Sequence, residues 1–142
     1  MTKFVHFLSI FTENPHKMLI YFKVGNYRSI KDPVVLNFTP ASISEHAEDN
    51  IAENGNQKLL RSLLIYGHNA SGKSNILNAF LSFKSFITNS VSEKSGEDRI
   101  LTQPYLLNTV TAKQPSFFEA KCLIGKTVYR YGYEVTEKAV VK

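Results

Sequence analysis

The apolar and polar positions of the chain predict two β-hairpins, one near each end. Met18–Val24 is rich in strand-forming residues and closes at the turn signal Gly25-Asn26, and Val34–Phe38 repeats the strand pattern. These two segments predict the first hairpin. Phe117–Ile124 and Val128–Val135 are also rich in strand formers, and a short glycine-containing turn separates them. They predict a second, antiparallel hairpin.

The centre of the chain predicts a buried strand followed directly by a helix. The segment from Leu59 to Tyr66 ends in a continuous apolar run, which is typical of a strand covered on both faces. From Gly72 the apolar spacing becomes four, three, four and four residues, which traces one face of a helix: Ile76, Phe80, Phe83, Ile87 and Val91. Leu77 and Leu81 are predicted to widen that face, so the helix is expected to belong to the core.

Three stretches predict no regular structure. Residues 41–57 are polar and acidic, and residues 92–116 are polar and interrupted by prolines, so both predict loops. Residues 1–17 contain a short apolar stretch without the cleavage-site pattern of a signal peptide, and Met18 then begins the first strand pattern. We therefore expect residues 1–17 to be an N-terminal extension and residues 18–142 to form the folded domain.

Composition narrows the class of protein only a little. Hydrophobic residues make up 43% of the chain and charged residues 20%, which is typical of a globular fold. The net charge of +5 suits a protein that meets nucleotides or nucleic acid. The single cysteine, Cys122, lies in an apolar run and is expected to be a buried thiol. The histidines show no metal-ligand spacing, and no apolar run is long enough for a membrane span. We expect a cytoplasmic protein.

The chemistry enters at residues 67–74, which read Gly-His-Asn-Ala-Ser-Gly-Lys-Ser and match the phosphate-loop pattern G-x-x-x-x-G-K-[S/T]. Gly67 and Gly72 allow backbone N–H groups to wrap around phosphate oxygens, and the following helix directs its free N–H groups toward the same anion. Lys73 adds a positive charge for the β- and γ-phosphates, and the Ser74 hydroxyl can ligate Mg²⁺. The expected binding residues of this loop are Gly67, His68, Asn69, Ala70, Ser71, Gly72, Lys73, Ser74 and Asn75.

The pattern by itself also occurs in glycine-rich strand–helix turns that bind nothing. Phosphate binding is favoured because a buried strand is predicted before the loop and a helix after it. The chain contains no Asn/Thr-Lys-x-Asp motif for reading a guanine base, and the loop lacks the middle glycine of small kinases. ATP with Mg²⁺ is therefore the expected ligand.

A hydrolytic partner for the loop is not found in the sequence. Hydrolysis needs an apolar strand that ends in an acidic residue, which holds Mg²⁺ and polarises water, and no apolar run of this chain ends in that way. The catalytic residues are therefore unknown, and ATPase activity of this chain is uncertain. Either the sequence is the N-terminal piece of a longer ATPase, which the strand-like ending Ala139–Lys142 favours, or it binds nucleotide without hydrolysis.

Three stretches resemble the SMC/RecF-like branch of ATP-binding cassette ATPases: FKVGNYRSIKDPVVLNF, LLIYGHNASGKSNILNAF and PSFFEAKCLIGKTVYRYGYEV. More narrowly, they resemble prokaryotic AAA-type proteins related to the overcoming-lysogenization-defect (OLD) group. In such families the loop usually reads Gly-x-Asn-x-Ser-Gly-Lys-Ser, which Asn69 and Ser71 match. Arg28 and Ser29 match a turn near the nucleotide, and Asn69 matches an asparagine near the γ-phosphate. The alternatives are a solvated arginine and an asparagine chosen for turn geometry.

The resemblance implies an α/β fold of the P-loop NTPase class. Residues 18–142 would be its N-terminal lobe, with a mixed sheet, one core helix after the loop and an antiparallel β-subdomain, and the rest of the domain would be absent. It also implies a homodimer in which two heads enclose two ATP molecules, and a DNA, nuclease or toxin partner in DNA-linked processes or antiphage defence. Gln103 and Gln114 precede the last hairpin, whereas the family's Q-loop glutamine follows it, so neither is assigned.

Two other functions stay open. The first is a non-hydrolysing regulatory lobe that binds ATP within a larger assembly. The second is a nucleic-acid-binding module that acts through its basic side chains, although no recognised motif accompanies them. These basic residues are Lys23, Arg28, Lys31, Arg61, Lys121, Lys126 and Arg130.

Overall fold

The computed structural model describes residues 17–43, 45–89, 102–137 and 139–142. Within these residues the elements follow in chain order: β1 (Lys17–Gly25), β2 (Val34–Asn37), α1 (Ala47–Asn50), β3 (Ile51–Asn54), β4 (Gln57–Leu60), α2 (Lys73–Asn89), a 3₁₀ turn (Thr111–Lys113), β5 (Ser116–Ile124) and β6 (Thr127–Val135). The predicted α/β class is confirmed. The predicted extension, apart from Lys17 in β1, lies outside the described residues.

The strands form two sheets. One has four strands in the order β2-β1-β5-β6, and the other is the antiparallel pair of β3 and β4. Both predicted hairpins are present, because β2 lies beside β1 and β6 lies beside β5. The second hairpin turns within two residues, and Gly125 adopts a φ of 59° there, a conformation that glycine adopts at little cost.

The contacts divide the chain into two compact units. In the described part, the first comprises residues 17–22, Leu36–Ile65 and Ala120–Tyr131. Its buried side chains are those of Phe22, Leu59, Ala120, Cys122 and Leu123. Burial raises the pKa of the Cys122 thiol to about 12, so the thiol stays protonated at neutral pH. The prediction of a buried thiol is confirmed.

The second unit comprises Lys23–Val35, Tyr66–Glu119 and Gly132–Lys142, and an aromatic cluster packs its helix against its strands. The ring of Tyr133 lies 5.7 Å from that of Phe83 and 4.1 Å from that of Phe86, both on α2, and 5.2 Å from that of Phe118 on β5. Next to Tyr133, a Cβ on Gly132 would lie only 2.9 Å from the Phe118 carbonyl oxygen. Glycine at 132 therefore permits a close approach of the two backbones.

The helix α2 confirms the predicted period but corrects its width. Phe83 and Ile87 are fully buried, as expected, and so is Ala79. Leu77 and Leu81 were predicted to widen the apolar face, yet they are 55% and 59% exposed, so that part of the prediction is wrong. The buried face instead includes the small Ala79. Val91, the last residue of the predicted stripe, lies outside the described residues.

The prediction of a loop over residues 41–57 is wrong. This stretch contains α1 and β3, and β4 follows after a turn that includes Gly55 at a φ of 60°. Glu53 pairs with Lys58 across the two strands at 2.8 Å, and the hydrogen bond that Lys58 donates to this carboxylate raises the pKa of Lys58. The strands were missed because they are short and polar.

The buried strand expected before the phosphate loop is also absent from the described residues. β4 ends at Leu60, and residues 62–66 have no regular structure, with Leu64 84% exposed and Tyr66 87% exposed. A strand requires a neighbour for its N–H and C=O groups, and no described strand pairs with this segment. The apolar run therefore predicted a burial that the described residues do not supply.

No described helix is both long and apolar enough to cross a membrane.

Candidate functional site

The loop at residues 67–72 turns through three positive φ angles. Gly67 has a φ of 154°, Ala70 of 61° and Gly72 of 92°, and the Ser71 N–H donates to the His68 carbonyl at 3.3 Å. Glycine adopts positive φ almost freely, whereas a residue with a Cβ is strained there by roughly 1–2 kcal/mol. The two glycines of the motif thus stand where the backbone requires them, and Ala70 is held in a strained conformation.

Lys73 places its ammonium group against this loop. Its Nζ donates to the carbonyl oxygens of Gly67 at 2.8 Å and His68 at 2.6 Å, and lies 3.4 Å from the Ser71 Oγ. The positive charge is therefore fixed within the loop itself. An anion bound by the loop would meet this charge directly.

The start of α2 adds further donors at the same place. The N–H groups of Asn75 and Ile76 both donate to the Gly72 carbonyl, at 3.0 Å and 3.2 Å, so Gly72 supplies the carbonyl that begins the helix. Lys73 and Ser74 are the first two residues of α2, so their N–H groups have no acceptor within the helix, and the helix dipole is positive at this end. Ser74 is exposed, so its hydroxyl is open to a cation. These groups together suit a phosphate.

The turn at residues 26–29 lies beside the loop, although 37 residues separate them in sequence. The Asn75 Nδ2 donates to the Ser29 Oγ at 2.7 Å, and a Cβ on Gly72 would lie 3.2 Å from the same oxygen. Arg28 has a φ of 50°, and its guanidinium lies 5.4 Å from the Tyr27 ring. Ser29 therefore lies next to Gly72 and Asn75, and Arg28 lines a cavity together with Asn75. That Arg28 and Ser29 lie near a nucleotide stays a prediction.

An open cavity of about 380 Å³ extends from this junction. Its lining is polar on the side of the turn and helix and more apolar on the side of residues 103–107: Arg28, Ser29, Asn75, Gln103, Pro104, Leu106 and Leu107. None of these side chains is acidic. The cavity therefore offers contacts to a ligand, but its described lining supplies no carboxylate that could act as a general base.

Sequence reasoning missed part of this site. Residues 104–107 form a short apolar patch within a stretch that was predicted only as a loop, and Gln103 was left unassigned because of its position relative to the last hairpin. Asn26 was noticed only as a turn signal, although its side chain binds the backbone of the segment that forms this wall. The available signals were the apolar patch and the asparagine after Gly25, and neither indicates its partner. His68 and Asn69 are exposed at the loop, as are Ala70 and Ser71.

Residues 62–142 match a family of known proteins described as "AAA domain, putative AbiEii toxin, Type IV TA system". The matched segment covers more than half of the chain and contains the phosphate loop, α2 and the second hairpin. The chain belongs to this AAA-domain family. No curated protein and no solved structure matches it.

Membership of an AAA-domain family indicates a nucleotide-binding, ATPase-type function for this chain. AAA ATPases generally use ATP and Mg²⁺, which agrees with the ligand expected from the loop. The narrower relation to the SMC, RecF and OLD groups stays a prediction.

Proposed function

We propose that this AAA-domain chain binds ATP with Mg²⁺ at residues 67–75 and the adjoining turn. The observation that supports this most directly is the Lys73 ammonium, fixed by the Gly67 and His68 carbonyls at the start of α2. A fixed cation, a helix N-terminus and a glycine-shaped backbone converge on one small volume, and each favours a phosphate chain.

The roles of the other residues follow from their positions. The β- and γ-phosphates would lie against the N–H groups of the loop and the Lys73 ammonium, and Ser74 would ligate Mg²⁺. The nucleoside would then extend into the cavity, where Arg28 and Ser29 offer polar contacts. Leu106 and Leu107 offer an apolar surface for the base, since they are 57% and 87% exposed without ligand.

We further propose that the whole protein is an ATPase head related to the SMC, RecF and OLD groups. A second copy of the head would face the bound nucleotide across the exposed residues His68 and Asn69. The family description names a toxin and a toxin–antitoxin system, which supports a role in antiphage defence or a DNA-linked process, with a toxin, nuclease or DNA as partner and in the cytoplasm.

A non-hydrolysing regulatory lobe is the second candidate function. It is favoured by the lining of the cavity, in which none of the described side chains is acidic. Titration of the intact protein separates the two functions: ATP binding with phosphate release indicates an ATPase, and ATP binding without turnover indicates the regulatory lobe.

Isothermal titration with ATP and Mg²⁺ tests the site. Lys73→Ala should weaken binding by about 100-fold or more, since each hydrogen bond to a charged group contributes roughly 1.5–3 kcal/mol and Lys73 contacts more than one phosphate. The matched control is Lys84→Ala, which removes an exposed lysine from the same helix and should leave the affinity unchanged. Equal affinity of the Lys73 variant and the unmodified protein would contradict the proposed function.

A further inference from the structure

Asn26 joins the turn at residues 26–29 to the connection at residues 102–116. Its Oδ1 accepts a hydrogen bond from the Tyr105 N–H at 3.0 Å. Its Nδ2 donates toward three carbonyl oxygens at 2.8 Å, 2.9 Å and 3.1 Å, those of Thr111, Gln114 and Pro115. One side chain therefore holds both the beginning and the end of this connection.

The backbone of Asn26 adds a second tie. Its carbonyl accepts a hydrogen bond from the Ser116 hydroxyl at 2.7 Å. The Ser116 Oγ in turn accepts a hydrogen bond from the Thr102 hydroxyl at 2.8 Å. Ser116 is 1% exposed, and Thr102 and Asn26 are each 8% exposed. Hydrogen bonds sheltered from water in this way are harder to exchange for bonds to solvent, so the network is a rigid one.

The two segments that Asn26 joins are the two sides of the cavity. The turn supplies Arg28 and Ser29, and the connection supplies Gln103 together with the apolar residues 104–107. The Arg28 N–H also donates to the Gln103 carbonyl at 2.7 Å, so the two sides touch at the base of the cavity. The width of the cavity is thus set by the bonds around Asn26.

We propose that Asn26 is a positioning residue for the nucleoside part of the bound nucleotide. It fixes the distance between the polar wall at Arg28 and the apolar wall at residues 104–107, and its side-chain hydrogen bonds go to the connection and not to the phosphate loop. This inference rests on the proposed ATP binding and deepens it. Asn26 acts on the base and ribose, whereas residues 67–75 act on the phosphates.

Asparagine suits this position for two separable reasons. The residue has a φ of 51°, a left-handed conformation that asparagine tolerates better than most residues with a Cβ. Its amide also supplies donors and an acceptor on one planar group. Asn26→Gly keeps the backbone conformation and removes the amide. Asn26→Asp keeps the shape but turns a carboxylate oxygen toward three carbonyl oxygens.

The test is isothermal titration of the full chain with two probes, ATP and inorganic tripolyphosphate, each with Mg²⁺. Asn26→Gly should weaken ATP binding by about tenfold and leave tripolyphosphate binding within about twofold, because the lost hydrogen bonds shape only the nucleoside side. Asn26→Asp should weaken ATP binding at least as much. The matched control is Asn54→Gly, which loses a 2.9 Å bond from its Nδ2 to the Gly125 carbonyl and should change neither affinity.

Three results would overturn the inference while leaving the proposed function in place. They are an equal loss for both probes in Asn26→Gly, an ATP affinity that does not change, and equal affinities of the unmodified protein for ATP and tripolyphosphate. If the unmodified protein binds neither probe, the proposed function fails and this inference fails with it. Hydrogen exchange of the Tyr105 amide, faster in Asn26→Gly, checks that the bonds were lost.

Discussion

Two irregular segments of the second unit are held in place by different means. They are the loop at residues 67–72 and the connection at residues 102–116. The loop is exposed, and its ties come from Lys73, five and six residues along the chain. The connection is tied to Asn26, which lies 79 to 89 residues away, and Asn26, Thr102 and Ser116 are buried.

The difference indicates that the two segments have separate roles within the proposed site. A loop whose side-chain hydrogen bonds come from a neighbouring ammonium depends on that charge, and a phosphate can compete for it. A connection fixed by buried hydrogen bonds keeps its shape whether or not a ligand is present. We therefore expect ligand binding to change the first segment and to leave the second as it is.

The largest effect is expected from Gly72→Ala. Gly72 has a φ of 92°, and a new Cβ would meet the Ser29 Oγ at 3.2 Å, so the junction of loop and turn would shift. ATP affinity should fall by about 100-fold, since misplaced backbone at a strained position costs roughly 1–3 kcal/mol and disturbs several phosphate contacts. Gly55→Ala is the control: its φ is 60° with open space around the new Cβ, and its ATP affinity should be unchanged in the same titration.

The next effect is expected from Ser116→Ala, which breaks the buried link between Thr102 and Asn26. The free energy of unfolding should fall by about 1–3 kcal/mol, because one buried donor and one buried acceptor lose their partner. Urea denaturation measures it. Ser42→Ala, at an exposed position, should change little. Similar stabilities of the two variants would show that the connection is not held by this network.

Hydrogen exchange compares the two segments directly. At an ATP concentration ten times the dissociation constant, exchange of the amides at residues 67–72 should slow by about tenfold, since binding stabilises the closed loop by mass action. The amides of Arg28 and Tyr105, which donate to Gln103 and Asn26, should be protected equally with and without ATP. Slower exchange both at residues 67–72 and at Arg28 and Tyr105 would contradict these separate roles.

The smallest effect is expected from Ala70→Gly. Relief of the strained φ of 61° should raise the free energy of unfolding by about 0.5 kcal/mol, after the greater chain entropy of unfolded glycine is subtracted. Ala112→Gly, in the 3₁₀ turn and without a positive φ, should lower it by about the same amount. Thermal unfolding measures the stability of both variants. A change of the same sign in both would show that Ala70 is not strained.

The elements that local sequence determines were predicted well. The helical spacing through Phe83 and Ile87 gave α2, and two runs of strand formers around Gly125 gave the second hairpin. The positions of Gly67 and Gly72 in the motif match backbone angles that only glycine adopts easily. In each case the deciding interactions lie within a few residues of one another.

The remaining features depend on distant partners. Leu64 and Tyr66 were expected in a buried strand, but apolar residues become a strand only beside a neighbour. The hairpin of β3 and β4 was missed because its cross-strand pair, Glu53 with Lys58, is polar. The role of Asn26 could not be found at all, since its partners are 79 to 90 residues away in the chain.

The aromatic contacts of α2 limit how this helix can respond to a bound ligand. Phe83 and Phe86 stand one helical turn apart, and both rings contact that of Tyr133. A helix that is held at two successive turns cannot shift along its axis or rotate about it without separating these rings. The helix is therefore held in one position, and we expect a bound ligand to move the loop that precedes α2 rather than α2 itself.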